Sequence, residues 1–440
     1  MNSNMQDNTP RNAASDTARE QKRTAPSAGA ARPHGTPPQH HDGGLIMHEY
    51  KEYHGARIRS DTIRRRADER ARRHRKQSGW RVFFRVLGKC LVAVLAVICV
   101  AVGGVFAAIN TVAKGPSTTM RDQLVLMAMQ ASATKWVPGL FLDDETVQSI
   151  VDASHVVRKD VTPIDSFTET NKGNIGGKTE DDIKWVDGIY YTTVSGPTYR
   201  AYVMLIKDPA RVYVGTTDFA TGAGIRIFEI VEQENAVAAI NAGEYHDNGG
   251  QGIGDLPIGL TYSKGKMVHS DWYTDRTFIG IDKNNKLVVK EGITVAEGEA
   301  LAIRDGVCFQ WGNVLITNDG TNVTTHYADK NTGTAQRTAI GQRQDGTIIM
   351  VVTDGRSASS LGATHNDIID VMREFGAVTA GMLDGGSSTM MYYRDYWDIL
   401  GIDYETLDEF QRKGIVNKYK AFTNPRKMPT YFVVAPEKSN

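Results

Sequence analysis

"TIIMVVTDGRSASSLGATHNDIIDVMREFGAVTAGMLDGGSSTMMYY", Thr347 to Tyr393, contains two apolar runs, each ending on an acid–glycine pair, Asp354-Gly355 and Asp384-Gly385. Short continuous apolar runs bounded by turn residues read as buried strands. Between them, "THNDIIDVMREFG" reads as a helix, with Thr364 as N-cap, Asp367 three residues on, Ile368, Val371, Met372 and Phe375 on one face, and Gly376 as the stop. The stretch therefore predicts strand, loop, helix, strand, with a carboxylate where each strand ends.

The same grammar extends on both sides. "YRAYVMLIKDP", "RVYVGTT", "AVAAINAGEY", "RTFIGIDKNNKLVVK" and "MPTYFVVAP" are β-rich runs divided by Gly, Asp and Asn, and "DKNNKLVV" and "RQDGTIIMV" carry hairpin turns, the second with Asp345-Gly346. There is no internal repeat. The expected fold class is α+β: a sheet-rich extracellular catalytic domain with few helices over residues 161–440.

What precedes it differs in composition. Residues 1–89 hold 19 Lys/Arg against 9 Asp/Glu, leaving 32 basic and 42 acidic residues for the rest, so overall neutrality averages two oppositely charged regions. "LVAVLAVICVAVGGVFAAI", Leu91 to Ile109, is uncharged and matches the roughly 20 apolar residues that span hydrocarbon as a helix. The basic tract Arg57 to Arg85 lies on its amino side, which predicts a cytoplasmic N-terminus and everything after the span outside. Its depth in the chain favours an uncleaved signal anchor over a cleaved leader. The assignment is a disordered basic cytoplasmic tail over 1–85, a transmembrane helix over 86–112 and a helical stalk over 113–160. In the stalk, Leu124, Met127, Ala128 and Ala131 keep helical spacing, with a break at Pro138 and a restart near Asp143. A basic tract beside a membrane span, without interleaved aromatics, argues against nucleic acid as a partner and for the lipid bilayer. Beyond the span Cys308 is the sole cysteine, so the outer part has no intramolecular disulfide and rests on a packed core.

Four stretches can carry chemistry. In "MLDGGSSTMM", Asp384 at a strand end is followed by Gly385, Gly386, Ser387, Ser388 and Thr389, whose N–H groups and hydroxyls suit an anion-holding nest, as they also suit a tight turn closed by an Asx-type bond. Asp354-Gly355-Arg356 repeats the pattern, with Arg356 placed either to meet a phosphate or to neutralise Asp354. "AAINAGEYHD" feeds Asn241, Gly243 and Glu244 into a glycine-rich loop, Asn241 offering an amide to sugar hydroxyls or capping a turn. His246 and Asp247 lack a third ligand at metal spacing, so neither a metal nor any other cofactor is expected. Finally Arg337 and Thr338 precede a strand in "AQRTAIGQRQDG". A serine hydrolase built on Ser387 or Ser388 lacks an oriented base, since His365 sits at a helix start with no evident acid behind it.

In this order, Asn241-Ala-Gly-Glu, Arg337-Thr-Ala-Ile-Gly, Asp354-Gly-Arg, Asp384-Gly-Gly-Ser-Ser-Thr-Met, Val416-Asn417 and "RKMPTYFVV" resemble the phosphodiester glycosidase family over roughly Tyr199 to Pro436. Bacterial relatives of that family carry the label exopolysaccharide biosynthesis protein. The family's first motif usually has an aromatic directly after the Asn-x-Gly turn. Here Glu244 holds that place and Tyr245 follows, so a catalytic role for Glu244 does not come from the resemblance.

What the resemblance implies is removal of a sugar from a sugar-1-phosphodiester, leaving a phosphomonoester, in a cell-surface, exopolysaccharide or teichoic-acid-like glycopolymer. Asp384, then Asp354, are the carboxylates expected at the anomeric carbon, with Glu244 as a further catalytic candidate. Asn241, Gly243, Arg337, Thr338, Arg356 and the run from Gly385 to Thr389 are the expected substrate contacts. The alternative is a non-catalytic module that binds an anionic cell-wall glycopolymer with the same loops. The sequence leaves the oligomeric state open.

Overall fold

The computed structural model describes residues 44–129, 134–154, 157–166, 175–247, 253–329, 332–355, 360–418 and 424–437. A long helix, α1, runs over Gly44–Lys114, so from Gly44 onward the segment expected to be disordered is helical. Among the described residues, Trp80–Lys114 is long and apolar enough to cross a membrane. Leu91, Val92, Leu95 and Val97 on it are exposed.

The stalk is a helical hairpin of α2, Thr118–Met129, and α3, Asp144–Ser154. Pro138 breaks it as expected, opening a single 3-10 turn, and Asp143 restarts it by accepting the Thr146 N–H at 2.7 Å. The packing face differs from the expected one. Val125 and Leu126, not Leu124 and Met127, are buried, against Val147 and Ile150 of α3; Ala131 lies outside the described residues. A helix this short takes its buried face from the partner it meets, and a shift of one residue along the chain turns that face by about 100°.

The sheet domain contains β1 Val157–Pro163, β2 Ile189–Ser195, β3 Arg200–Ile206, β4 Val212–Thr216, β5 Ala238–Asn241, β6 Thr261–Ser263, β7 Lys266–His269, β8 Thr277–Asp282, β9 Leu287–Glu291, β10 Ile303–Phe309, β11 Val314–Asn318, β12 Asn322–Ala328, β13 Thr338–Arg343, β14 Ile348–Thr353, β15 Ala377–Leu383, β16 Met391–Tyr393 and β17 Thr430–Val434. Helix α4, His365–Glu374, is the one read from the sequence. Three antiparallel sheets result, of eight strands (β1-β12-β11-β15-β13-β14-β3-β2), five (β7-β6-β10-β8-β9) and four (β16-β5-β17-β4). The class is α+β. Because β1 pairs with β12 from Val157 to Pro163, the domain begins at least four residues before the expected boundary at 161.

The apolar runs are continuous because the large sheet is covered on both faces. With side chains alternating along a strand, Val203, Leu205, Ile349 and Val351 pack with Ile368, Ile369, Met372 and Phe375 of α4. Met204, Ile206, Met350 and Val352 pack instead with Ile240, Ile279, Val307 and Phe432 from the two smaller sheets. Each such fully buried aliphatic side chain contributes about 1.5–3 kcal/mol over an exposed one. Thr364 caps α4 with the capping box read from the sequence, its hydroxyl accepting from the Asp367 N–H at 3.1 Å.

Register then fixes where the strand ends lie. Thr338 faces Val352 on one side and Leu383 on the other, so Asp354 and Asp384 leave the sheet flanking the start of β13. With one strand between them their backbones run about 10 Å apart.

Candidate active site

A cleft of about 530 Å³ opens at these strand ends. Its floor joins the end of β15 to the end of β5: the Asp384 N–H donates to the Ala242 carbonyl at 3.0 Å, bringing the loop after Leu383 against the loop after Asn241. The first loop places Asp384 in the cleft, and the second places Glu244 and Asp247 there.

Gly243 allows that meeting. A Cβ there would stand 2.9 Å from Val307 Cβ and from the Cys308 carbonyl oxygen, and this close approach lets the Glu244 N–H bond the same carbonyl at 2.8 Å. Glu244 Oε2 accepts from Arg276 Nε at 2.9 Å, and the Arg276 guanidinium lies 4.6 Å over the Tyr273 ring. Burial pushes the Glu244 carboxyl above its usual range, while the Arg276 charge and hydrogen bond oppose the shift.

Asp384 is shifted much further. Burial, reinforced by the Glu244 charge, pushes its carboxyl up to about 7, against hydrogen bonds from the Ser388 side chain and the Gly385 N–H and the charge of Arg426. Two carboxyls in one cleft with different environments are a recurring acid–base arrangement. Beside them, Arg426 Nη1 donates to Asp247 Oδ2 and to the Tyr245 hydroxyl, each at 2.9 Å.

The other predicted residues divide into three groups. Arg337, Gly385, Gly386, Ser387 and Ser388 line the cleft, with Arg337 donating to the Ala363 and Gly333 carbonyls at 3.2 and 3.0 Å. Asn241 and Thr338, expected on substrate, are instead fully buried. Asn241 Nδ2 donates to the Asp384 carbonyl at 2.7 Å, and its Oδ1 accepts from the Thr338 hydroxyl at 2.8 Å and the Met390 N–H at 3.1 Å, so the pair ties the floor together from beneath. Arg356 lies outside the described residues.

Asp354 does not join the lining. Its carboxylate accepts from the Tyr202 hydroxyl at 2.7 Å and the Lys418 N–H at 3.1 Å, a buried position that raises its pKa. The run after Asp384 also differs from a nest. Gly386 adopts φ +64° and starts a 3-10 turn in which the Ser388 and Thr389 N–H groups bond the Gly385 and Gly386 carbonyls at 3.2 and 3.3 Å. Those donors are consumed by the turn, and Thr389 itself is buried.

Sequence reading missed Arg426, Arg276 and Lys135. Arg426 stood in plain view in "NPRKMP", but an arginine in a polar loop has no local pattern that separates a cleft residue from a surface one. Asp247 was considered only as a metal ligand, whereas it serves as the partner of Arg426.

Fold and cleft together define an α+β domain with two carboxyls of different environment at its strand ends, and the resemblance read from the sequence is shown: residues 234–435 match the model of the phosphodiester glycosidase family. That segment contains Glu244, Arg276, Arg337, Asp384 and Arg426. An SPbeta prophage-derived uncharacterized protein of Bacillus subtilis (strain 168), YomE, is 30% identical over 188 residues, 41% of this chain and 27% of that protein, so the chain spans about a quarter of the curated relative's length. Among solved structures, the catalytic domain of zebrafish N-acetylglucosamine-1-phosphodiester alpha-N-acetylglucosaminidase, auto-inhibited by its pro-peptide, is similar at TM-score 0.42 and 14% identity over 56% of this chain and 82% of that one. A hypothetical protein from Synechocystis is similar at TM-score 0.36 and 14% identity, over 57% and 63% of the two chains.

Proposed function

We propose that this protein is a membrane-anchored glycosidase that hydrolyses a sugar-1-phosphodiester in a glycopolymer outside the cell, releasing the sugar and leaving a phosphomonoester. The observation that carries the reading is Asp384, a cleft carboxyl with a pKa pushed up to about 7, set beside Glu244 within the family-matched segment.

A phosphomonoester is a good leaving group, so the site needs little proton donation to the leaving oxygen and more stabilisation of its charge. Water attacks the anomeric carbon, the C1–O bond breaks, and its electron pair departs with the phosphate. Asp384 takes the proton from that water in its ionised form, and a base with a pKa near the working pH is well matched to the task. Glu244, held by Arg276, stabilises the oxocarbenium-like transition state. Arg337 and Arg426 provide positive potential for the departing phosphate. Anchoring rests on the apolar helix, and the basic tract before it supports a domain outside the cell.

The test is sugar release from a sugar-1-phosphodiester polymer by the full chain and by Asp384→Asn. Release lost in a folded variant is expected. Release by Asp384→Asn at the wild-type rate removes Asp384 from the mechanism, and polymer binding without release by the wild type leaves a binding module.

A further inference from the structure

Three cationic side chains line the cleft among the described residues: Arg337, Arg426 and Lys135. Two are committed to the protein. Arg426 binds Asp247 and Tyr245, and Arg337 donates to backbone carbonyls. Lys135 is different. It sits exposed in the turn between α2 and α3, and among the described residues its ammonium makes no hydrogen bond or ion pair.

Its place is nevertheless fixed. The Thr134 hydroxyl donates to the Ala128 carbonyl at 2.8 Å, and the Val137 N–H bonds the Thr134 carbonyl at 3.0 Å, closing the turn on either side of Lys135. Val125 and Leu126 lock α2 against α3, while Leu126 and Val151 face the cleft alongside Lys135. The hairpin is thus a wall of the cleft, lined by Leu126, Met129, Val151, Ser154 and one ammonium. That charge also acts on Glu244, lowering its pKa.

A phosphate entering this cleft meets two carboxyls on the floor, which repel it once ionised, and two arginines already holding protein acceptors. Arg426 engages only Nη1 and keeps Nε and Nη2, whereas among the described residues the ammonium on the hairpin has every donor unengaged. A lysine ammonium is a point charge with three rotatable donors, suited to a phosphate oxygen in more than one pose.

We propose that the α2–α3 hairpin is part of the ligand site and that Lys135 binds the phosphate group of the substrate. The identity of that anion as a sugar-linked phosphate rests on the function proposed above; the anion contact itself does not.

The experiment is calorimetric binding of a hexose 1-phosphate, inorganic phosphate and the free hexose to the full chain in detergent, for wild type, Lys135→Ala and Lys135→Arg, with turnover of a sugar-1-phosphodiester followed in parallel. Loss of one charge-assisted hydrogen bond should weaken both phosphate ligands about tenfold in Lys135→Ala, with Lys135→Arg within about threefold of wild type and free hexose unchanged. Phosphate binding that is equal or tighter in Lys135→Ala overturns the proposal, as does a wild type that binds the 1-phosphate no better than the hexose. Binding that depends on Lys135 without any turnover would sink the glycosidase reading and leave the anion site standing. Turnover indifferent to Lys135 would do the reverse.

Discussion

Asn241 holds Asp384 by its main chain, not its carboxylate: Nδ2 donates to the Asp384 carbonyl at 2.7 Å from a side chain with no exposed surface. The carboxyl is thereby aimed from beneath while its own oxygens face the cleft. Asn241→Ala leaves the Thr338 hydroxyl and the Met390 N–H without their acceptor. The expected cost is about 2–4 kcal/mol in denaturant unfolding, with sugar release falling alongside.

Asp384 costs stability when ionised. Its folded pKa, about 7, lies above its ordinary value of 3.8, so the folded state binds the proton more tightly and loses stability as pH rises from about 4 to 7. Asp384→Asn removes this dependence. Urea unfolding at pH 5 and pH 8 should show the variant gaining on wild type at the higher pH, by roughly 1–4 kcal/mol. If ionised Asp384 is the base, kcat/KM of wild type should climb through the same interval.

Asp354 and Asp384 follow the two strands that flank β13 but differ in employment. With Asp354 taken up by Tyr202 and the Lys418 N–H, Asp354→Asn should lower stability by about 1–2 kcal/mol and leave sugar release within about tenfold of wild type. Loss of release comparable to that of Asp384→Asn, in a protein with unchanged melting temperature, would return Asp354 to the chemistry.

Arg276 opposes the upward shift that burial imposes on the Glu244 carboxyl. Arg276→Met removes the opposing charge, so the Glu244 carboxyl should move further up, and the pH–rate profile, whose acid-side step belongs to Asp384 in wild type, should gain a second acid-side step. A profile that stays in place while kcat falls would show that Arg276 acts on something other than Glu244 ionisation.

Gly243→Ala puts a methyl group 2.9 Å from Val307 Cβ and the Cys308 carbonyl. The strand must give way, at about 1–3 kcal/mol. Because Glu244 is bonded to that same carbonyl, the substitution should also lower kcat, measured against thermal unfolding of the same preparation.

Much of this architecture was legible locally. The runs "YVMLI" and "IIMVV" announced strands buried on both faces, Thr364 with Asp367 announced the start of α4, and the acid–glycine pairs announced strand ends, because propensity, capping and turn chemistry act within a few residues. Asp384 was found that way, and Glu244 from the glycine-rich loop that follows its strand. The roles of Asn241, Thr338 and Asp354 were not, since each depends on a partner far along the chain: Asp384 for the first, Asn241 for the second, Tyr202 for the third.

The amino-acid order by itself thus marked the apolar span, many of the strands, helix α4, and the two acids that close their strands. Strand register and the packing of three sheets decided which acid faces the cleft, which polar groups vanish beneath it, and that a lysine from a separate helical hairpin stands on its wall. Pairing over a hundred residues or more is fixed by mutual burial of whole faces, and no short stretch carries that information.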